Sequence, residues 1–150
     1  MHRAVACTAA MMVASVALAA QKDDIQGLRI GMTSAQIQDV LPRCGNAKIL
    51  IDERSLYCAV MNVKEVLDVD FTNKGRAYVI EYRFASDRTY EEVYEEIRET
   101  YTLGERKIDS NGLYKWTLDG GSILEIGQSR LKLGWYELRL SDWGMSQKDN

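Results

Sequence analysis

Two helix-start signals, 56 residues apart, constrain this chain more than any other feature in it. Thr33-Ser34-Ala35-Gln36 and Thr89-Tyr90-Glu91-Glu92 both read as capping boxes. In such a box the threonine oxygen accepts the N–H of the third helical residue, and the Gln or Glu side chain reaches back to the N–H of the cap. Behind the first box, Met32 and Ile37 are placed for a hydrophobic staple, and Ile37, Val40 and Leu41 share one face. Pro42 then ends the helix, having no N–H to continue it. Behind the second box, Tyr90, Val93, Tyr94, Ile97 and Tyr101 fall on one side, and Gly104 is placed as a C-terminal stop.

Each helix is followed by strand-type runs: 48–51, 56–60, 66–71 and 78–84 after the first, and 113–118, 123–126 and 135–140 after the second. Asn73-Lys74-Gly75-Arg76 predicts a hairpin turn. With Asn73 opposite Arg76, Phe71 faces Tyr78, Val69 faces Ile80, Leu67 faces Tyr82 and Asp68 faces Glu81. That register gathers the large apolar groups on one face, and a slip of one residue scatters them. The two halves align in order: Thr33 with Thr89, Ile37 with Val93, Leu56-Tyr57 with Leu113-Tyr114, and Glu81-Tyr82-Arg83-Phe84 with Glu137-Leu138-Arg139-Leu140. The expectation is an α+β fold made of a tandem repeat, 20–86 and 87–150, each repeat a helix plus an antiparallel sheet. The helices then pack on one sheet face and leave the other open.

The first 19 residues read as an export signal. Arg3 is followed by an uncharged stretch to Ala20, and Ala17-Leu18-Ala19 is a small-residue cleavage pattern ahead of Gln21-Lys22-Asp23-Asp24. The stretch is short and alanine-rich for a bilayer span, and Cys7 lies too early in it for a lipid-modified start. The chain is therefore expected in the periplasm or secreted, with no stable membrane span after cleavage. Removing 1–19 takes away His2, the only histidine, and leaves 18 Lys+Arg against 22 Asp+Glu. That acidic balance argues against a nucleic-acid partner held by bulk charge. Cys44 and Cys58 remain, and in an oxidising compartment an even pair reads as a disulfide. Closing a loop of about 15 residues stabilises by ~3 kcal/mol on the chain-entropy account.

The stretch Leu28-Arg29-Ile30-Gly31-Met32-Thr33-Ser34-Ala35-Gln36-Ile37, followed by Cys44 and Cys58, resembles the repeat of the beta-lactamase inhibitor protein family and of the related BamE-like outer-membrane assembly lipoproteins. The resemblance covers roughly 25–85 by motif and 86–142 through the internal match. It implies a helical layer on an antiparallel sheet whose other face is concave and free. In the inhibitor family an aspartate after the second cysteine enters the target enzyme, and Glu65 stands at that position here. An aromatic on a loop of the family's second repeat also inserts, where this chain has Asp119-Gly120-Gly121.

Without histidine, Ser-His and Cys-His nucleophiles are closed to the processed chain. The paired carboxylates Asp68 and Glu81 permit general acid/base work, so a small carboxylate-dependent hydrolase is the alternative reading; a solvated sheet face relieved by Arg83 is the plainer one. Asp68-x-Asp70-x-Thr72 with Gly75 misplaces the glycine of a calcium loop, and no phosphate loop or dinucleotide fingerprint occurs, so neither metal nor cofactor is expected. The open face by alternation carries Asp68, Asp70, Val79, Glu81 and Arg83, then Lys115, Thr117, Glu125, Trp135, Glu137 and Arg139. Arginine, carboxylates and tryptophan together suit a protein-binding surface. The expectation is a non-catalytic inhibitor or accessory of the bacterial envelope. It would bind a protein or envelope component through Glu65, Asp68, Glu81, Arg83, Trp135, Glu137 and Arg139.

Overall fold

A computed structural model describes residues 21–42, 54–59, 64–104, 113–129 and 132–149, with the backbone alone at 57–59. The expected signal (1–19), the run 48–51 and Cys44 lie outside the described residues, and the side chain of Cys58 does too. The two capping boxes start helices as read. Thr33 Oγ1 accepts from the N–H of Gln36 while Gln36 Oε1 accepts from the N–H of Thr33 at 2.9 Å, opening α1 (Ser34–Val40). Thr89 and Glu92 repeat the exchange at the start of α2 (Tyr90–Thr100). Leu41 caps α1 just before Pro42. α2 ends ahead of Gly104, because Thr102 turns to the left-handed region at φ 52° and the N–H groups of Thr102 and Leu103 close on Glu99 and Arg98.

Six strands follow the runs foreseen: β1 (Ser55–Ala59), β2 (Glu65–Phe71), β3 (Ala77–Ala85), β4 (Tyr114–Thr117), β5 (Ile123–Gln128) and β6 (Trp135–Ser141). Between β2 and β3 the register places Val69 opposite Ile80, Leu67 opposite Tyr82 and Asp68 opposite Glu81. Phe71, however, pairs with Ala77 and not with Tyr78. The turn closes one step earlier than expected, with the N–H of Thr72 bonded to the carbonyl of Arg76 and Gly75 at φ 70°. Tyr78 is then the extra residue of a bulge. A third helix, α3 (Trp143–Asp149), was not foreseen; Asp142 caps it, its Oδ1 accepting from the N–H of Met145 at 3.0 Å.

The tandem repeat of helix-plus-sheet units is overturned. All six strands belong to one antiparallel sheet, in the order β1-β2-β3-β6-β5-β4. Strand β3 pairs with β6 along seven residues, Ile80 opposite Leu140 and Tyr82 opposite Leu138. The physical reason lies in the edges. Two separate three-stranded sheets would each expose β3 or β6 as an unpaired row of N–H and C=O groups beside an apolar face. Joining them satisfies those groups and merges the two cores.

On the covered face, one lateral row runs Leu56, Val69, Ile80, Leu140, Leu124 and Trp116, and every member is buried. Helix α2 lies over this face through Val93 and Tyr94; the Tyr94 ring sits 4.3 Å from that of Tyr114 and 5.8 Å from that of Trp116. The hydroxyl of Tyr90 donates to the carbonyl of Ile126 at 2.9 Å, and that of Tyr136 to the carbonyl of Arg88 at 2.6 Å, so these two rings of the layer have their polar ends satisfied. Ile37 of α1 and the turn residues Ile25 and Leu28 complete the cluster.

Candidate functional site

Side chains alternate across a strand, so the register that builds the core also builds the other face. There the strands line up Asp68, Glu81, Arg139, Glu125 and Lys115 in a single lateral row, with Tyr57 of β1 next in register. The neighbouring row carries Val66, Arg83, Glu137 and Gly127. The motif Glu-x-Arg occurs on both β3 and β6, and antiparallel pairing sets each glutamate opposite the other strand's arginine. This is the cross-strand arrangement in which opposite charges support a sheet.

The contacts are close. Arg139 reaches Glu81 Oε2 through Nε at 3.0 Å and Nη2 at 2.6 Å, and Glu137 Oε1 through Nη2 at 2.9 Å. Arg83 pairs with Asp68 through Nη2, and its Nε lies 3.2 Å from Glu81 Oε1 as an ion pair without hydrogen-bond alignment. Lys115 Nζ is 3.4 Å from Glu125 Oε1, and Ser55 donates to Asp70 at 2.7 Å. Glu81 is only 16% exposed, the centre of the network, bridged by both arginines.

Five carboxylates share this face with three cations among the described side chains. Burial pushes the Asp68 carboxyl above its ordinary value, more than Arg83 lowers it. Burial, then the adjacent Glu81, push Glu137 upward as well. Burial opposes the charge on Arg139, but the hydrogen bond and charge of Glu81, with Glu137 and Glu125, outweigh it and hold the guanidinium more firmly protonated. The face is thus a pre-paired, half-buried polar lattice: Asp68 and Glu81 stand opposite each other, and each is held by Arg83.

Of the residues expected to meet a partner, Asp68, Glu81, Arg83, Glu137 and Arg139 come together. Trp135 joins them at the border by the alternation of β6, half-buried opposite Ala85 and with Lys132 Nζ 4.4 Å from its ring centroid. Glu65 does not belong to this surface. It has the parity of Leu67 and Val69, so it points to the helix side, where it accepts a hydrogen bond from the Tyr82 hydroxyl at 2.8 Å. Burial and that bond hold the Tyr82 phenol above its usual range. At the far end of the face, Val79 and Ser141 are buried where α3 leaves β6 and returns to β3, with the Trp143 ring set edge-on to Tyr78 at 5.5 Å. The Asp142-Trp143-Gly144-Met145 cap signal could have announced that helix.

Among the described residues no group of three or more His, Cys, Asp or Glu is arranged to hold a metal ion, and no helix is long and apolar enough to cross a membrane. No protein-family model, curated protein or solved structure matches the chain.

Proposed function

We propose that this chain is an exported, non-catalytic protein that binds another protein of the bacterial envelope through the polar face of its sheet. An inhibitor or an assembly accessory, as the resemblance to the beta-lactamase inhibitor and BamE-like proteins suggests, fits this reading. The observation that carries it is the charged row from Asp68 to Lys115, crossing β2, β3, β6, β5 and β4 without a break. The two arginines of this face, Arg139 in the row and Arg83 beside it, are already oriented by carboxylates, so little side-chain freedom is lost on docking. Trp135 at the border supplies a large amphipathic anchor of the type that dominates interface energetics. Cys44 and Cys58, joined after export, would clamp the segment leading into the β1 edge.

The test uses Trp135→Ala with Lys115→Gln, which leaves the Glu81–Arg139 and Arg83–Asp68 pairs in place. The processed chain and this variant are immobilised side by side and exposed to envelope extract. The reading expects one protein to be retained by the natural chain and lost by the variant, with thermal unfolding unchanged. Equal retention by both overturns it, and turnover of an ester, glycoside or peptide substrate that disappears in Asp68→Ala/Glu81→Ala would favour the hydrolase.

A further inference from the structure

Away from the paired face, the best-bonded carboxylate described in the molecule is Asp149. It accepts from the Thr72 hydroxyl at 3.1 Å, from Lys74 Nζ at 3.2 Å, and from Arg76 through Nε at 2.9 Å and Nη2 at 2.6 and 2.7 Å. All three donors come from the β2–β3 hairpin, and Thr72 is itself only 3% exposed. Two cations and a buried hydroxyl converging on one carboxylate, with a guanidinium in bidentate approach, are the parts of an anion receptor. Asp149 is covered by these partners' arms rather than sunk in the core. Accordingly, the hydrogen bond from Arg76 leads the forces that hold its carboxyl below the usual range, outweighing burial.

The helix that carries Asp149 gives no reason of its own for an acid there. A negative charge in the last turn is opposed by the helix dipole. Helix α3 spans seven residues, has Gly144 at its second position, and is far shorter than a helix that stands alone in water. Its other contacts include the Asp142 N–H on the Tyr78 carbonyl at 2.8 Å and the Trp143–Tyr78 ring contact. Trp143 stays 53% exposed. The hairpin therefore fixes the helix, and not the reverse.

We infer that the Thr72, Lys74 and Arg76 cluster is a carboxylate receptor which Asp149 fills in cis, and that an acidic side chain on a partner protein takes its place and frees α3. The displaced helix would uncover the end of the sheet where Val79 and Ser141 are now buried, including the Ser141 hydroxyl, which has no hydrogen-bond partner among the described residues. This inference stands apart from the function proposed above, since none of its residues belongs to the charged row.

The experiment uses the full chain, a C-terminally amidated Gly-Asp-Asp-Asp-Gly peptide bearing an uncharged fluorophore, and its Asn counterpart. Asp149→Ala empties the receptor, so it should bind the aspartate peptide about tenfold or more tightly than the natural chain, by the factor with which cis occupancy depresses apparent affinity. Adding Arg76→Gln to that variant should remove the gain, and the asparagine peptide should bind none of the proteins. In the natural chain, saturating aspartate peptide should speed hydrogen exchange over residues 142–149 while exchange in β3 and β6 stays slow. Should Asp149→Ala fail to fold, Asp149→Asn serves in its place: it keeps an acceptor for Thr72 and loses the charge. Equal peptide binding by the natural chain and these variants, a gain that survives Arg76→Gln, or α3 exchange indifferent to peptide would each overturn the receptor.

Discussion

Replacing Arg139 by methionine tests the logic of the charged row at its centre. The change keeps a long flexible stem and removes the guanidinium that joins Glu81 to Glu137. Two hydrogen bonds to Glu81 and one to Glu137 disappear, at 3.0, 2.6 and 2.9 Å. Hydrogen bonds to charged groups contribute about 1.5–3 kcal/mol in shielded settings. Glu81, at 16% exposure, retains much of that, whereas Glu137 at 32% and Arg139 at 34% lie closer to the surface regime of roughly 0–1 kcal/mol. The expected loss at pH 7.5 is therefore ~2–3 kcal/mol in urea unfolding. The sign of its pH dependence follows from the carboxyls. Those of Asp68 and Glu137 already stand above their ordinary values in the folded chain. A raised carboxyl favours the folded state below its unfolded value of about 4, and that contribution is lost as pH rises through the folded value. Without Arg139 the upward push on the Glu137 carboxyl grows, so lowering the pH protonates it more readily and relieves the repulsion. The destabilisation should therefore shrink measurably between pH 7.5 and 5.0. A loss below about 0.5 kcal/mol at pH 7.5, the scale of an ordinary surface substitution, or one equal at both pH values, would refute the reasoning.

Ile80→Ala, in the middle of the buried row and fully enclosed, should cost about 2–5 kcal/mol in urea unfolding; a loss under 1 would mean that the joined sheet has no shared core. Thr89→Ala removes the cap of α2 and should cost ~1 kcal/mol, with faster hydrogen exchange confined to the first turn of that helix. Asp149, held low by Arg76, gives the opposite pH sense to Asp68 and Glu137. Its contribution is present above the unfolded carboxylate value and lost as pH falls through the lower folded one, so Asp149→Asn should flatten the acid limb of the unfolding profile, and an unaltered limb would count against the latch. If Cys44 and Cys58 are joined, the non-reduced processed chain resists alkylation and reduction costs ~3 kcal/mol of stability; prompt double alkylation of the untreated protein would exclude the bridge.

Local chemistry determined much of this molecule in advance. Both capping boxes, the six apolar runs that are described or partly so, and the Asp68–Glu81 register could be read because each depends on near neighbours or on two-residue alternation. The membership of the polar face followed from the same alternation, so Lys115, Glu125, Glu137 and Arg139 were legible as a set. What only the tertiary structure decided was how the halves meet. Nothing in the period of β3 or β6 says whether its free edge takes a new partner or stays open, since both outcomes leave the same residues on the same face. Pairing Ile80 with Leu140 turned two expected sheets into one and placed Arg139 against Glu81. Glu65 is a different case: it was assigned to the partner surface by resemblance, although the alternation along β2 already put it on the face of Leu67 and Val69, where it meets Tyr82. The long-range limit applies also to Asp149, whose three donors lie more than seventy residues away in the chain and become neighbours only when α3 folds back onto the hairpin. Contacts between residues far apart in sequence carry no periodic signature, and it is those contacts that set the edges, the ion pairs and the latch.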